Sequence, residues 1–208
     1  IMEKYRLSEN YIDLEGINKR LYQIIAVKSF SDVEKGELGG YVEGVKNLSQ
    51  DGNCWIYDDA MVYDMAQISE NAVIAGEVKI SGQARVHDDS IVSDNVLLSE
   101  NVIVSGKACI YDNAKLSGNV RVCDNVLVFD SAVASGNVVL SGNAKIYGHV
   151  RLIGNIHVCD EAVVCDAAVI YDNVIVSHRA KVCGNAEVSN RNVCDVEMIN
   201  GEGENLSA

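Results

Sequence analysis

From residue 51 to residue 188 the chain divides into twenty-three consecutive six-residue units with no insertion or deletion. Tyr111-Asp112-Asn113-Ala114-Lys115-Leu116 and Ser141-Gly142-Asn143-Ala144-Lys145-Ile146 are typical units. The sixth position is Val, Ile or Leu in twenty-two of them, and the fourth is Ala or Val in twenty. Side chains alternate across a strand with period two, so positions four and six point the same way into an apolar interior. Position two is Gly, Asp or Glu in twenty-two units, and position three is Asn in twelve. These residue types tolerate turn backbone, which places a corner between successive short strands. A strict hexad leaves no room for helices. Three strands and three corners close one coil of eighteen residues, and the units stack into about 7–8 coils.

Composition agrees with a backbone fully engaged in ladders. The 208 residues contain no proline, and 48% are hydrophobic against 23% charged. That balance builds a core and is not the composition of a disordered chain. No apolar run approaches the length of a membrane-spanning helix. The net charge of −13, of which −12 falls in residues 51–208, argues against direct binding of nucleic acid or of an anionic membrane. Seven cysteines form no CxxC pair, and the start Met2-Glu3-Lys4-Tyr5-Arg6 has no apolar signal core. The expectation is a reduced, cytoplasmic protein that uses cysteine as a small apolar residue. Cys165 and Cys183 stand one coil apart in one column, where a disulfide, a metal pair or simple apolar stacking are all open; stacking is the simplest.

The repeat resembles the hexapeptide pattern of the left-handed β-helix (LpxA-like) proteins, as in Leu116-Ser117-Gly118-Asn119-Val120-Arg121. It differs in placing Gly or Asp one residue later than that pattern does. The front of the chain is similar to the YdcK-like proteins. The matching stretches are Lys4-Tyr5-Arg6-Leu7-Ser8, Tyr22-Gln23-Ile24-Ile25-Ala26, Gly36-Glu37-Leu38-Gly39-Gly40-Tyr41-Val42 and Leu48-Ser49-Gln50-Asp51-Gly52-Asn53-Cys54-Trp55-Ile56-Tyr57-Asp58. The resemblance implies an all-β chain: a single-stranded left-handed parallel β-helix with a small N-terminal β cap. The cap is expected over residues 1–50, the β-helix over 51–194 and a C-terminal cap or tail over 195–208. Within the cap, 4–7 and 21–28 read as strands, and Ser31-Asp32-Val33-Glu34 fits a helical capping box.

Position five faces outward and defines the candidate surfaces. One outer face, with the corner that follows it, carries Trp55, Tyr57, Ile91, Tyr111, Leu127, Phe129, Tyr147 and Val163. An apolar stripe of this kind fits a homo-oligomer interface, dimer or trimer, unless the N-terminal segment folds back over it. One corner gathers Asp58, Asp59, Glu77, Asp94, Asp112 and Asp130. These carboxylates suit a protein partner with a basic surface, which a regular anionic edge would meet as a nucleic-acid mimic or antagonist. The same corner also reads as a solvated, turn-favouring edge.

Two other functions stay open. A hexapeptide-type acyltransferase, as the resemblance implies, uses acyl-CoA and a histidine near a subunit boundary. His157 with Cys159 is the one constellation of that kind, and no other cofactor or metal is indicated. Alternatively Lys115, Arg121, Lys145 and Arg151 hold a small anionic ligand, such as a nucleotide, at an oligomer interface.

Overall fold

The computed structural model describes residues 3–201. It is an all-β solenoid of about nine turns with no α-helix among the described residues. Two-residue strands stack in parallel with a coil-to-coil register of eighteen residues: Ile91 lies on Cys109, Leu97 on Lys115 and Ile103 on Arg121. The coil therefore has three faces. One face has nine rungs, from Trp55–Ile56 to Met198–Ile199. A second face begins at Met61–Val62 and carries the cap, and a third begins at Gln67–Ile68.

Positions four and six fill the interior. From Ala60 to Val188 nearly every such residue is at most 2% exposed, with Ala or Val facing Ile, Val or Leu across a narrow core. Position two turns the corner with a left-handed backbone, at φ 59° in Asp88 and 68° in Gly106. A corner bends the backbone out of the ladder, and the aspartates repair this. Asp64 Oδ2 accepts the N–H of Gly82 at 3.0 Å, and Asp88, Asp124 and Asp160 accept those of Gly106, Gly142 and His178 at 2.8 Å. Asn at position three adds a second ladder. Asn101, Asn119, Asn137, Asn155 and Asn173 each donate to the next asparagine along the stack, the last of them to Asn190, with N···O distances of 2.8–3.2 Å.

At Asp88 the corner bond makes stability pH-dependent. The Gly106 N–H, together with Glu70 and His87, holds the Asp88 carboxyl below the usual carboxylate range. A depressed acid contributes stability that is complete above its unfolded value of about 4 and is lost as the pH falls through its folded value. Denaturant titrations from pH 7 to pH 2.5 are therefore expected to show a decline starting near pH 4. In Asp88→Asn the decline is shallower; an unchanged slope would separate Asp88 from the effect.

The cap is a three-stranded sheet. Strands β1 (Tyr5–Leu14) and β2 (Lys19–Ala26) form an antiparallel hairpin, closed by a 3₁₀ turn at Glu15–Ile17. Strand β3 (Leu38–Val42) pairs antiparallel with β2 and parallel with Met61–Val62, so the last strand of the expected cap already belongs to the stack. Lys19 Nζ ties the hairpin to the first coils through Glu43 at 2.9 Å and Asp64 at 3.0 Å. Lys4 is buried and covers the open end of the first coil, where its Nζ lies 2.9 Å from the Cys54 carbonyl and 3.3 Å from Cys54 Sγ.

Three expectations are corrected. Ser31-Asp32-Val33-Glu34 is not helical: Phe30 and Val33 exchange backbone bonds of 3.0 and 2.9 Å around a tight turn, with Ser31 at φ 47°. The coil count is about nine rather than 7–8, because stacking begins at β3 and continues past the last clean hexad. Lys181 pairs with Met198 seventeen residues on, and Val176 bridges Val193, so the period shortens by one where the pattern fades. Cys165 and Cys183 are not merely stacked; they are joined as a disulfide, with Cα atoms 4.7 Å apart. Of the expected C-terminal segment, residues 202–208 lie outside the described residues.

Candidate functional site

The corner after the nine-rung face joins two features that the sequence presents separately. Its first position carries Tyr111, Phe129 and Tyr147 on successive coils. Their rings stack with centroids 5.0 and 4.9 Å apart and interplanar angles of 3° and 5°. Aligned coils impose this order, because identical columns bring each ring onto the one below. The adjacent position carries Asp58, Asp94, Asp112 and Asp130, all with positive φ. Each is committed to the fold through one oxygen: Asp58 accepts from Gly76 N at 2.9 Å, Asp94 from Asp112 N at 3.3 Å, Asp112 from Asp130 N at 3.1 Å, and Asp130 from Gly148 N at 3.0 Å. Such a bond fixes the carboxylate without neutralising it. Asp59 and Glu77 follow at the third position and are exposed.

The rest of the apolar stripe divides between surface and core. Ile91 is 42% exposed, and Leu127 and Val163 are half-buried on the same face. Trp55 is 0% exposed and does not belong to an outer surface. The cap folds over it, packing Tyr5 and Phe30 edge-on at 6.2 and 5.5 Å. Tyr57 is held beneath the same cover, with its hydroxyl donating to Asp32 at 2.9 Å; burial and that carboxylate push the phenol up. A segment folding back over the stripe, the alternative left open by the sequence, accounts for both.

The four basic candidates do not converge within one chain. Lys115 and Arg151 lie on the cap-bearing face two coils apart, Arg121 on the third face and Lys145 on the nine-rung face. Their spacing modulo eighteen already separates them.

His157 and Cys159 also diverge. Cys159 Sγ turns to Asp160 at 3.8 Å, and burial together with that carboxylate raises the thiol above its ordinary value. His157 Nε2 instead meets Ser141 Oγ at 3.1 Å, across to the preceding coil. Ser141 was missed because the pair is sixteen residues apart and meets only through the coil register. A shallow groove of about 370 Å³ adjoins His157 and is lined by Asn137, Asn155, Asn173, Val139 and Ile175. Hydroxyl and imidazole within hydrogen-bond reach are the elements of a nucleophile and base pair.

A parallel β-solenoid with an N-terminal β cap, an acidic-aromatic corner and a serine-histidine pair is the class that these features define. Over 63 residues the chain is 46% identical to a protein of Escherichia coli (strain K12) described as the uncharacterized acetyltransferase YdcK. The matched stretch covers 27% of this chain and 19% of that protein. That similarity agrees with the resemblance read from the front of the sequence. No family model matches the chain.

Proposed function

We propose that the protein is a non-catalytic binding scaffold, a rigid rod that docks a basic protein partner along the corner formed by Tyr111–Asp112, Phe129–Asp130 and their neighbours. The observation that carries this reading is the adjacency of the ring stack and the carboxylate column. Ring edges offer apolar contact to the methylene stems of lysine or arginine, while the neighbouring carboxylates meet the charged heads. Ladder bonds hold both columns in place, so little conformational entropy is lost on binding. An aliphatic face beside them, with exposed Ile91 and half-buried Leu127 and Val163, supplies the surface for self-association in the same reading.

Asp94→Asn, Asp112→Asn and Asp130→Asn together remove three charges and keep the acceptors that the backbone requires. Each rim charge pair is worth about 0.5 kcal/mol, so the triple variant is expected to bind an arginine-rich peptide roughly tenfold more weakly. Neutralising Asp160, Glu161 and Asp172, on other corners, changes binding less than about twofold. Titration calorimetry distinguishes the two sets. Equal losses from both would mean that only net charge attracts the peptide.

Acyl transfer is the second reading, favoured by the 3.1 Å contact of His157 and Ser141 and by the description of the relative. In it His157 is the general base toward an acceptor hydroxyl or amine, and acyl-CoA brings the acyl group. Turnover of acetyl-CoA that collapses in His157→Ala would establish this reading and displace the scaffold.

A further inference from the structure

We propose that Cys165, Cys183 and Asp166 form a redox-gated site for one soft divalent cation of the zinc class, closed as a disulfide and opened by reduction. The site lies on the same corner as the ring stack, one coil beyond Tyr147, but it does not depend on the docking role. Parallel register brings the two sulfurs together from adjacent coils: Cys165 N–H bonds the Val182 carbonyl, and Cys183 N–H that of Ile199, each at 2.9 Å. Both cysteines are 2% exposed, whereas Asp166 is exposed and offers the route in from solvent. The two sulfurs and a carboxylate oxygen lie within 4.8 Å of one another. Gly184 N–H holds Asp166 Oδ2 at 2.9 Å, and Cys165 Sγ lies 3.7 Å from the same oxygen. No hydrogen bond engages Oδ1 among the described residues.

Two thiolates select a soft or borderline ion, and a carboxylate completes three of the four positions that zinc prefers, leaving one for solvent. The net charge of −13 favours cation approach. Opening requires an external dithiol: its two S–H groups are oxidised to a disulfide while the Cys165–Cys183 bond is reduced to two thiols. Binding then releases two protons from those thiols, and the complex of M²⁺, two thiolates and one carboxylate carries a charge of −1.

Cobalt(II) is the probe, because thiolate ligation gives a near-ultraviolet charge-transfer band and tetrahedral geometry gives visible bands. The intact chain, reduced without oxygen and freed of reductant, is expected to develop both bands, saturating at one equivalent and bleaching when zinc is added. The oxidised chain develops neither. Cys165→Ser with Cys183→Ser abolishes the bands, and Asp166→Asn weakens binding about a hundredfold. Ala75 and Ser93 occupy the same column, so these coils accept small residues there, and circular dichroism verifies that the double variant is folded. Absence of bands from the reduced chain would leave a structural staple only. Bands that persist in the folded double variant would place the metal on other cysteines. Either result overturns the site.

Discussion

Gly40→Ala is expected to detach the cap and cost about 3 kcal/mol or more, the upper range for overpacking against an obstruction that cannot move. A Cβ at Gly40 would lie 2.5 Å from the Ala60 carbonyl oxygen, 2.6 Å from Ile56 Cγ2 and 3.2 Å from the Tyr57 carbonyl oxygen. Two of these three atoms are backbone of the first coil, itself held by the stack above. The strand must therefore move, and β3 is the strand that joins the hairpin to Met61–Val62. The sole tryptophan reports the outcome, since Trp55 lies beneath the cap at 0% exposure. Its emission is expected to shift to the red in Gly40→Ala while the far-ultraviolet β signal of the coils persists. An unshifted spectrum with unchanged urea stability would show that β3 adjusts without cost.

Trp55→Ala is expected to destabilise by about 3–5 kcal/mol, the usual cost of emptying a large aromatic site in a core. Tyr5 and Phe30 both pack their edges against this ring, and the cavity cannot collapse because the coil beneath is fixed by its ladders. Against a typical stability of about 5–15 kcal/mol, that loss separates cap and solenoid into two unfolding steps. Trp55→Phe is milder for a specific reason. The indole Nε1 is buried without a hydrogen-bond partner among the described residues, so the substitution removes an unsatisfied donor while it shrinks the ring. Urea unfolding followed by circular dichroism measures both variants. Equal losses in the two would mean that the phenyl ring restores none of the packing lost with the indole.

Much of this architecture can be read from the hexad, because position within a coil decides direction. Val92 and Ile110 face inward by the same arithmetic that turns Ile91 outward, and the second place in its unit makes Asp94 a corner residue. The arithmetic weakens where the period does. Met198 sits seventeen residues after its partner, and β3 stacks on the first coil with no hexad at all, so both ends of the rod extend beyond the regular pattern. Trp55 has an outward position by pattern and an interior one in fact, since only tertiary folding of residues 3–38 covers it. The aspartate column was legible as turn chemistry, but its bonds to the next coil's N–H groups needed the stack. Cys165 and Cys183 were legible as neighbours, and the choice between packing and bonding was not. Ser141 and His157 meet across coils at a spacing that no local motif contains.

What the acidic-aromatic corner holds decides between the scaffold and the transferase. The decisive measurement is a native mass spectrum of the protein purified gently from its own host cells, compared with Asp94→Asn/Asp112→Asn/Asp130→Asn prepared identically. The scaffold reading predicts a protein with a basic surface bound to the unaltered chain and absent from the variant. A partner retained equally by both, or an adduct of coenzyme A mass in place of a protein, would contradict it.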